Sequence, residues 1–372
     1  MLPVNRRYLT RFDWINFSII LILSLFGLFF VLSATYTPAQ PFSLFFKKQL
    51  FGVLTGFGLY FLLCNSDYKS LMRWGYFTYF VILALLVFTI LKGHIGMGGQ
   101  RWINLGFFKF QPSELAKVFF PAYTTYYFYT QKRQNHLYFV DFIPILCVLA
   151  VSALLIRKQP DLGTALILTF SGLVMLWLVD IGNYFFIGLA TLSLLAAPIV
   201  WHMALKEYQK QRVLVFLGEG STRKERYQIE QSKIAIGSGG IVGKGYMQGT
   251  QNQLQFLPER RTDFIFSIIA EELGFFGTLT IMLLLFLLFA RLLTDIAIVK
   301  DPYAQLLALG LLIHLMFSAF VNIGMVVGML PVVGIPLPLV SYGLSNLWST
   351  FISLGWINGI IMRRLYLGDK TL

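Results

Sequence analysis

Three short segments of this 372-residue chain place ionisable side chains beside or inside apolar blocks, where charge is costly and usually functional. The first, residues 111–117, reads Gln-Pro-Ser-Glu-Leu-Ala-Lys and opens an apolar block. Its Glu114 and Lys117 are three residues apart, so they share one face of a helix and can pair. The pair could simply fix helix packing, or Lys117 could contact an anionic substrate.

The second segment, residues 159–164, lies between two apolar blocks. Pro160 would end the preceding helix, and Asp161 is well placed to cap the following one. Capping alone would explain Asp161, and a contact with substrate is the functional alternative.

The third segment, residues 257–264, brings acidic and basic side chains together just before another apolar block. Its charged residues are Glu259, Arg260, Arg261 and Asp263. Thr262 or Asp263 could be the N-cap of the next helix, and Asp263 would be an anion placed favourably in the helix dipole. A cap does not account for the neighbouring cations, or for Glu271 and Glu272 about two turns deeper. Paired acidic and basic groups in a cleft are what general base catalysis on an anionic substrate requires.

The long polar segment 205–262 is strongly basic and holds 10 of the 30 Lys and Arg residues. Its charge could reflect a solvated loop that touches anionic lipid headgroups, or an outward-facing site for a phosphorylated substrate. Lys244 lies in a run of glycines that is not a nucleotide-binding loop. Val242 breaks the Gly-x-Gly-x-x-Gly pattern, and Gly245 stands where the Walker pattern needs Ser or Thr after the lysine. We expect a tight, mobile turn near the membrane surface and no nucleotide.

Membrane helices must position these segments, because 57% of the residues are hydrophobic and only 13% are charged. Soluble domains are nearer a quarter charged, and a membrane span needs roughly 20 apolar residues. Apolar blocks of this length recur throughout, so we predict one all-α polytopic membrane domain over residues 1–372. About ten spans are predicted, at 14–35, 46–64, 70–91, 112–130, 140–157, 163–181, 184–204, 263–291, 303–327 and 342–362.

Ten spans put both chain termini on one side of the membrane, and basic residues in short loops indicate which side. With the termini in the cytoplasm, the inner segments hold 12 Lys and Arg and the short outer loops hold seven. Long loops cross regardless of charge, so the segment 205–262 does not count. We therefore predict cytoplasmic termini and an outward-facing 205–262 segment. Because most of the basic charge then faces away from the cytoplasm, the net charge of +13 does not indicate a nucleic-acid partner.

An uncharged stretch at 330–343 contains three prolines, which forbid a continuous helix. Irregular backbone at membrane depth is tolerated only against protein or a cavity, so this stretch, which includes Ser341, is predicted to be a re-entrant cavity wall. A tight hairpin is the simpler alternative. The two cysteines, Cys64 and Cys147, lie in apolar blocks, and no disulfide or metal site is expected.

Five segments resemble the SEDS family of bacterial cell-wall polymerases. They are Arg101-Trp102-Ile103, the 111–117 and 159–164 segments, 256–264, and the proline-rich stretch through Tyr342-Gly343. Residues 243–251 and 256–260 look most like the RodA-type elongation branch, with the FtsW-type division branch as the nearest alternative. Arg261 departs from the family pattern, since other members commonly have His there, which argues against a histidine role in catalysis at that position.

The resemblance implies a ten-span peptidoglycan glycosyltransferase of the bacterial inner membrane, serving cell elongation and shape. It would join lipid II into β-1,4 glycan strands outside the membrane with inversion, releasing undecaprenyl pyrophosphate without ATP. It would work with the elongation machinery and a class B penicillin-binding protein, the transpeptidase that crosslinks the strands. Asp263 matches the family's essential aspartate and is the candidate base.

Cations are needed to stabilise the leaving pyrophosphate, and a divalent cation (Mg or Mn) could assist them. The candidates for the pyrophosphate are Arg101, Lys117, Arg260 and Arg261. The full set of expected substrate-binding residues is Arg101, Glu114, Lys117, Asp161, Lys244, Glu259, Arg260, Arg261 and Ser341.

Two other functions stay open on the sequence. A lipid II flippase would also use a cavity with Glu114 and Lys117, but it would need polar groups along its whole path. In this sequence the polar groups gather on the predicted outer side, which favours the polymerase. A scaffold for the elongation machinery would leave the charges inside the membrane unexplained.

Overall fold

Helices form most of the chain in a computed structural model that describes residues 12–96, 99–106, 108–131, 138–205, 207–219, 223–254 and 256–368. The helices are α1 (Trp14–Thr35), α2 (Leu44–Asn65), α3 (Tyr68–Lys92), α4 (Pro112–Thr130), α5 (Phe139–Lys158), α6 (Leu162–Leu178), α7 (Asn183–Ile199), α8 (Glu207–Phe216), α9 (Arg223–Gly239), α10 (Thr250–Gln253), α11 (Ile265–Ala297), α12 (Pro302–Val327) and α13 (Leu344–Gly368). A π-helical turn, Val200–Ala204, continues α7.

Each predicted span corresponds to one of these helices, namely α1 to α7 and α11 to α13. Six of them are long and apolar enough to cross a membrane by themselves: α1, α3, α5, α7 with its π-helical turn, α11 and α12. Of the other four, α6 has only 17 residues, and α2, α4 and α13 are long but more polar. The polar helices carry much of the site described below, which is why apolarity alone does not single them out.

Glycines allow close packing in the core of the bundle, where α13 lies along α2. A Cβ at Gly355 would lie 2.6 Å from the Tyr60 carbonyl oxygen, and one at Gly359 would lie 2.9 Å from that of Leu63. Side chains could not fit there without moving the backbone. Small residues at such crossings let membrane helices approach closely and gain van der Waals contact.

Helix α7 differs from the other predicted spans, because none of its residues is buried. Its rings do approach the start of α5, with Phe139 and Phe185 centroids 6.1 Å apart. Even so, α7 presents apolar side chains on all its faces instead of packing one face into the core.

A small antiparallel sheet, which the sequence did not predict, precedes α4. Its strands are β1 (His94–Gly96), β2 (Gly99–Asn104) and β3 (Lys109–Phe110), in the order β1-β2-β3. Strand β2 carries Arg101, and Ile103 of β2 pairs with Phe110 of β3. The sheet therefore fixes Arg101 directly in front of the first turn of α4.

The segment 205–262 contains α8, α9 and α10, so it is far more ordered than a solvated loop. The Ser232 hydroxyl in α9 lies 2.8 Å from that of Ser267 in α11 and donates to the Val326 carbonyl of α12 at 2.7 Å. Close approach is possible because Gly239 ends α9, where a Cβ would lie 1.9 Å from the Ala270 oxygen. Helix α9 is thus packed onto α11 and α12.

The glycine-rich turn after α9 is bonded to a break in α11. Gly274 has φ +66° and ψ −158°, which interrupts the helix and frees two carbonyls in the turn before it. The amides of Lys244 and Gly245 donate to the carbonyls of Glu271 and Glu272, both at 3.0 Å. The expected tight turn is present, and it is fixed against α11 by these backbone hydrogen bonds.

The proline-rich stretch after α12 enters the helix bundle instead of lying on its surface. Leu337, Leu339 and Val340 are buried, and the backbone at 339–340 touches the middle of α1. A Cβ at Gly27 of α1 would lie 2.6 Å from the Leu339 oxygen. The prediction of a re-entrant segment therefore describes this stretch better than a surface hairpin.

Candidate functional site

The segment 259–263, just before α11, is held by donors from other parts of the chain, which bond three of its backbone carbonyl oxygens. The Tyr342 amide donates to the Arg261 carbonyl at 2.9 Å, and the Ser341 hydroxyl donates to that of Thr262 at 2.6 Å. The side-chain amide of Asn322, in α12, donates to the Asp263 carbonyl at 2.9 Å. Three successive residues are thus anchored, so the re-entrant stretch and α12 set the position of Asp263.

The Asp263 carboxylate is partly accessible and faces the re-entrant stretch, where a Cβ at Gly334 would lie 3.4 Å from its Oδ2. Burial, with a smaller contribution from the Glu259 carboxylate, raises the pKa of Asp263 to about 7. Arg101 and Arg212 act in the opposite direction. A carboxylate with a pKa near the working pH is well suited to be a general base.

Glu259 lies beside Asp263 in a left-handed backbone conformation, with φ +51°. Its carboxylate accepts a hydrogen bond from the Thr262 hydroxyl at 3.3 Å. A residue other than glycine in this region is strained by roughly 1–3 kcal/mol, and such strain is concentrated at functional sites. Glu259 therefore belongs to the same site as Asp263.

Asp161 has the capping role that its position predicted, and it also orients Arg101. Its carboxylate accepts from the Thr164 amide at 3.3 Å and from the Gln111 side chain at 2.8 Å. It lies 3.7 Å from the Arg101 guanidinium, and its side chain is only 3% exposed. Its oxygens are therefore directed to protein groups in this structure, and its contact with substrate stays a prediction.

Glu114 and Lys117 form the predicted ion pair, 3.0 Å apart, in the first turns of α4. Both side chains are at most 5% exposed. The Ser349 hydroxyl of α13 adds a hydrogen bond of 3.1 Å to the Glu114 carboxylate. In this arrangement the pair joins α4 to α13, and a substrate could reach it only if these helices moved apart.

Polar side chains extend much deeper into the bundle than the charged residues indicated. His314 of α12 is buried, with its ring nitrogens near the Ser353 hydroxyl and the Gly310 carbonyl. Thr124 and Thr125, farther along α4, are also buried. The sequence had indicated that polar groups gather on the outer side, and it did not reveal these deeper ones, because Ser, Thr and His interrupt an apolar block very little.

Arg260 and Arg261 point towards the ends of α1 and α2. The Arg260 Nε donates to the Ala34 carbonyl, in the last turn of α1, at 2.8 Å. The Arg261 guanidinium lies 3.9 Å from the centre of the Phe45 ring, in the first turn of α2. These two cations therefore reach a different part of the bundle from Arg101.

Two further residues that were expected to contact substrate, Ser341 and Lys244, are bonded to protein groups in this structure. The Ser341 hydroxyl is 1% exposed and is used by the protein, donating to Thr262 and accepting from the Leu337 amide at 2.8 Å. The Lys244 ammonium is bonded to the Glu271 carboxylate at 2.7 Å. Ser341 supports the Asp263 segment from behind, and Lys244 fixes the glycine-rich turn.

The sequence suggested that the carboxylates of Glu271 and Glu272 belong to the cleft around Asp263. In the structure both side chains are buried and bonded to other parts of the protein. Glu272 accepts from the Ser33 hydroxyl at 2.5 Å and from the Met247 amide at 3.1 Å. Glu271 accepts from Lys244 and from the Gln251 amide at 3.0 Å. Together they bind the 244–252 segment to α11 and α1.

Sequence reasoning missed Arg212 of α8, which acts electrostatically on Asp263. It lies about 50 positions before Asp263, in a segment with ten basic residues, and no spacing distinguishes it from the others. Within the described residues there is no cluster of three or more metal-binding side chains.

Comparisons with known proteins agree with this architecture. The family model of the cell cycle proteins FtsW, RodA and SpoVE matches residues 13–365. Peptidoglycan glycosyltransferase MrdB of Escherichia coli K12 is 42% identical over 300 residues, 80% of each chain. The probable peptidoglycan glycosyltransferase FtsW of Trichlorobacter lovleyi is 34% identical over 365 residues, 95% of each chain.

Solved structures share the fold over almost the whole length. The crystal structure of the rod shape determining protein RodA of Thermus thermophilus matches with a TM-score of 0.70 at 26% identity, covering 95% of this chain and 97% of that one. A chain from a study of the coordination of polymerization and crosslinking by a peptidoglycan synthase complex gives a TM-score of 0.80 at 28% identity. That match covers 95% of this chain and 98% of the other.

Proposed function

The chain belongs to the FtsW, RodA and SpoVE family and is a multi-span peptidoglycan glycosyltransferase, and we propose that it polymerises lipid II for cell elongation. The product is a β-1,4 glycan strand, and the leaving group is undecaprenyl pyrophosphate. One observation carries the proposal: a carboxylate with a pKa near 7 stands beside cations at the entrance of a helix bundle. A base and an anion-stabilising group are the two parts that this transfer requires.

Asp263 is the proposed base. It takes the proton from the 4-hydroxyl of the acceptor's N-acetylglucosamine while that oxygen attacks C1 of the donor's N-acetylmuramic acid. The bond between C1 and the pyrophosphate oxygen breaks in the same step, and the electron pair leaves with the pyrophosphate. A single displacement inverts an α-linked donor to a β-linked product, and a positioned base contributes roughly 10²–10⁴-fold.

Arg101 is the cation best arranged to stabilise the departing pyrophosphate. Its guanidinium is 21% exposed, acts on Asp263 and is oriented by Asp161. Its Nε is buried and has no hydrogen-bond partner among the described residues, so it can still donate to a ligand. Arg212 acts on Asp263 as well and would share this role.

A divalent cation, Mg or Mn, fits the site only in part. Asp263 and Glu259 offer two carboxylates, and Mg²⁺ is often held by one or two carboxylates together with substrate phosphates. Bound there, the ion would neutralise charge on the pyrophosphate. The cations already present supply the same stabilisation from the protein.

We also propose the cellular setting. The chain would lie in the inner membrane with both termini in the cytoplasm and Asp263 outside, as the count of basic residues indicates. The similarity to MrdB and to a rod shape determining protein supports the elongation role over division. A class B penicillin-binding protein is the proposed partner, because one structural relative comes from a complex that couples polymerization with crosslinking.

Purified protein and lipid II test the proposal directly. We expect glycan strands to form from lipid II without ATP, faster with the class B penicillin-binding protein present. Asp263→Asn should abolish them while the protein stays folded. Asp67→Asn is the matched control, since Asp67 caps α3 through the Ser70 amide at 3.0 Å and otherwise lies 3.8 Å from the Arg363 guanidinium of α13. Glycan synthesis at the normal rate by folded Asp263→Asn would overturn the assignment.

Lipid II translocation is the second candidate function, and the buried polar residues along α4 and α12 favour it. Vesicles that carry Asp263→Asn protein and labelled lipid II in one leaflet would separate the two activities. We expect no movement of the label beyond that of protein-free vesicles. Rapid movement without glycan synthesis would support a flippase instead.

A further inference from the structure

Arg260 and Arg261 carry charge that no carboxylate offsets. Within the described part of the chain, neither has an ion pair. Arg101, by contrast, lies 3.7 Å from the Asp161 carboxylate. Burial and the neighbouring Arg261 charge both lower the pKa of Arg260. An anion bound between the two guanidinium groups would relieve this repulsion.

Aromatic rings already shape a site for such an anion. The Arg261 guanidinium stacks on Phe45 at 3.9 Å, and the Tyr342 ring meets the edge of Phe45 with centroids 5.5 Å apart. Stacking uses the face of the guanidinium and leaves its N–H groups in the plane for a ligand. The Arg261 Nε is buried and lacks a hydrogen-bond partner among the described residues.

The site opens at an apolar edge between α1 and α2. Phe42 and Leu44, beside Phe45, are 61% and 60% exposed. Arg260 is fixed on the other helix by its bond to the Ala34 carbonyl at 2.8 Å. An anion that carries a long apolar chain can therefore place its charge on the arginines and its chain along the outside of α2.

We propose that Arg260, Arg261 and Phe45 form a second diphosphate site, which holds the lipid-linked acceptor while Arg101 serves the donor. The assignment rests on the proposed function and on how far each diphosphate lies from the reacting atoms. The donor diphosphate is bonded to the carbon under attack, so its cation must lie near the base, as Arg101 does. The acceptor diphosphate is two sugars away from the attacking hydroxyl, so its site must be displaced from Asp263.

The two sites also differ in net charge in a way that suits their roles. The donor diphosphate must leave after each transfer, and Arg101 is partly neutralised by Asp161. The acceptor must stay bound during the transfer, and Arg260 and Arg261 are not neutralised. Arg261 also keeps its charge at every pH at which a protein works, since a guanidinium is not deprotonated there.

Binding of radiolabelled undecaprenyl diphosphate to the protein in zwitterionic nanodiscs tests the site without turnover. We expect two equivalents to bind wild type, and Arg261→Gln to weaken one of them roughly ten- to a hundredfold. Phe45→Leu should weaken the same equivalent several-fold, and Phe88→Leu on α3, an exposed ring away from this edge, should not. One equivalent in the wild type, two unchanged equivalents in Arg261→Gln, or equal displacement by phosphatidylglycerol would overturn the proposal.

Kinetics with lipid II then separate acceptor from donor. Arg261→Gln should raise KM with kcat nearly unchanged, and Arg101→Gln should lower kcat. The reverse split would overturn the assignment of the two sites. If two equivalents bind but no glycan forms, the proposed function fails while the diphosphate site stands.

Arg261→His gives a variant whose charge at this position can be switched by pH. Relative to wild type at the same pH, its binding of the second equivalent should weaken as pH rises from 5.5 to 8, because the imidazole loses its proton near pH 6.5. The comparison at equal pH cancels the titration of the ligand's terminal phosphate and of Asp263. A ratio of the two affinities that does not change with pH would show that charge at this position does not hold the ligand.

Discussion

Asp263 has a pKa that is set by a few identifiable neighbours, so its titration can be shifted deliberately. Only the ionised carboxylate can accept a proton, so polymerisation should rise with pH through about 7 and level off above it. Glu259→Gln removes an anion that raises this pKa and should move the midpoint down. Arg101→Gln removes a cation that lowers it and should move the midpoint up. The pH profile of kcat/KM measures both, and shifts in the opposite directions would contradict the described electrostatics.

The same burial has a consequence for stability. Because folding raises the pKa of Asp263 above its ordinary value of 3.8, the ionised form disfavours the folded state, and its cost grows as pH rises to about 7. Asparagine carries no charge, so Asp263→Asn should be as stable as wild type or more stable at pH 8. Loss of activity in this variant would therefore not be a folding defect.

Variants of Glu114 and Lys117 can separate a role in helix packing from a role in the polymerisation reaction. Lys117→Ala leaves a buried carboxylate without its partner, and we expect a loss of roughly 3–5 kcal/mol in stability. The neutral pair Glu114→Gln with Lys117→Met should stay folded and lose most polymerisation if Lys117 acts on substrate. Thermal unfolding in detergent and glycan yield measure the two effects. Normal glycan synthesis by the neutral pair would reduce the ion pair to a packing role.

At the scale of elements, the backbone bonds between the glycine-rich turn and the break in α11 are the least replaceable contacts. Gly243 has φ +80°, and a Cβ there would lie 2.2 Å from the Glu272 oxygen. Gly243→Ala should therefore lower the thermal midpoint and reduce glycan synthesis, with strain alone costing roughly 1–3 kcal/mol. Gly188→Ala on α7 is the control, since a Cβ at Gly188 meets nothing within 4 Å. Equal effects of the two changes would contradict this role.

Long apolar helices were predictable and short or polar elements were not. The spans are uninterrupted apolar blocks, which only a helix can carry through a membrane. Strands β1 and β3 have three and two residues, too few for any alternation to be seen. Helix α9 is polar overall and is stable because it packs on α11, a tertiary contact that no local pattern encodes. The break at Gly274 lies in an apolar run where a continuous helix was expected.

The residues of the candidate site also divide into those that the sequence predicted and those that it did not. Asp263 and the Glu114–Lys117 pair were predictable because charge is rare in membrane helices and three-residue spacing fixes a shared face. The backbone bonds of Ser341 could not be predicted, because a hydroxyl in a proline-rich stretch gives no sign of whether it faces substrate or backbone. Arg212 was missed because the fold alone brings α8 towards Asp263.

At the scale of the whole molecule, the orientation proposed from the basic residues can be tested without an enzyme assay. A reporter that is active only outside the cytoplasm should be active when fused within 205–262 and silent when fused after Leu372. The reversed pattern would put Asp263 on the cytoplasmic side, away from the growing wall. A control fusion after Lys69 should be silent, because the α2–α3 connection would also be cytoplasmic.

Helix α7 buries none of its side chains, so the tilt of this helix is not fixed by neighbours as it is for α12 or α13. A span that packs this little can adjust its tilt to the thickness of the surrounding hydrocarbon layer. Its π-helical end leads within a few residues to α8, which carries Arg212, and Arg212 lowers the pKa of Asp263. We therefore expect the acyl-chain length of the surrounding lipid to alter the charge around the proposed base, and with it the rate of glycan synthesis.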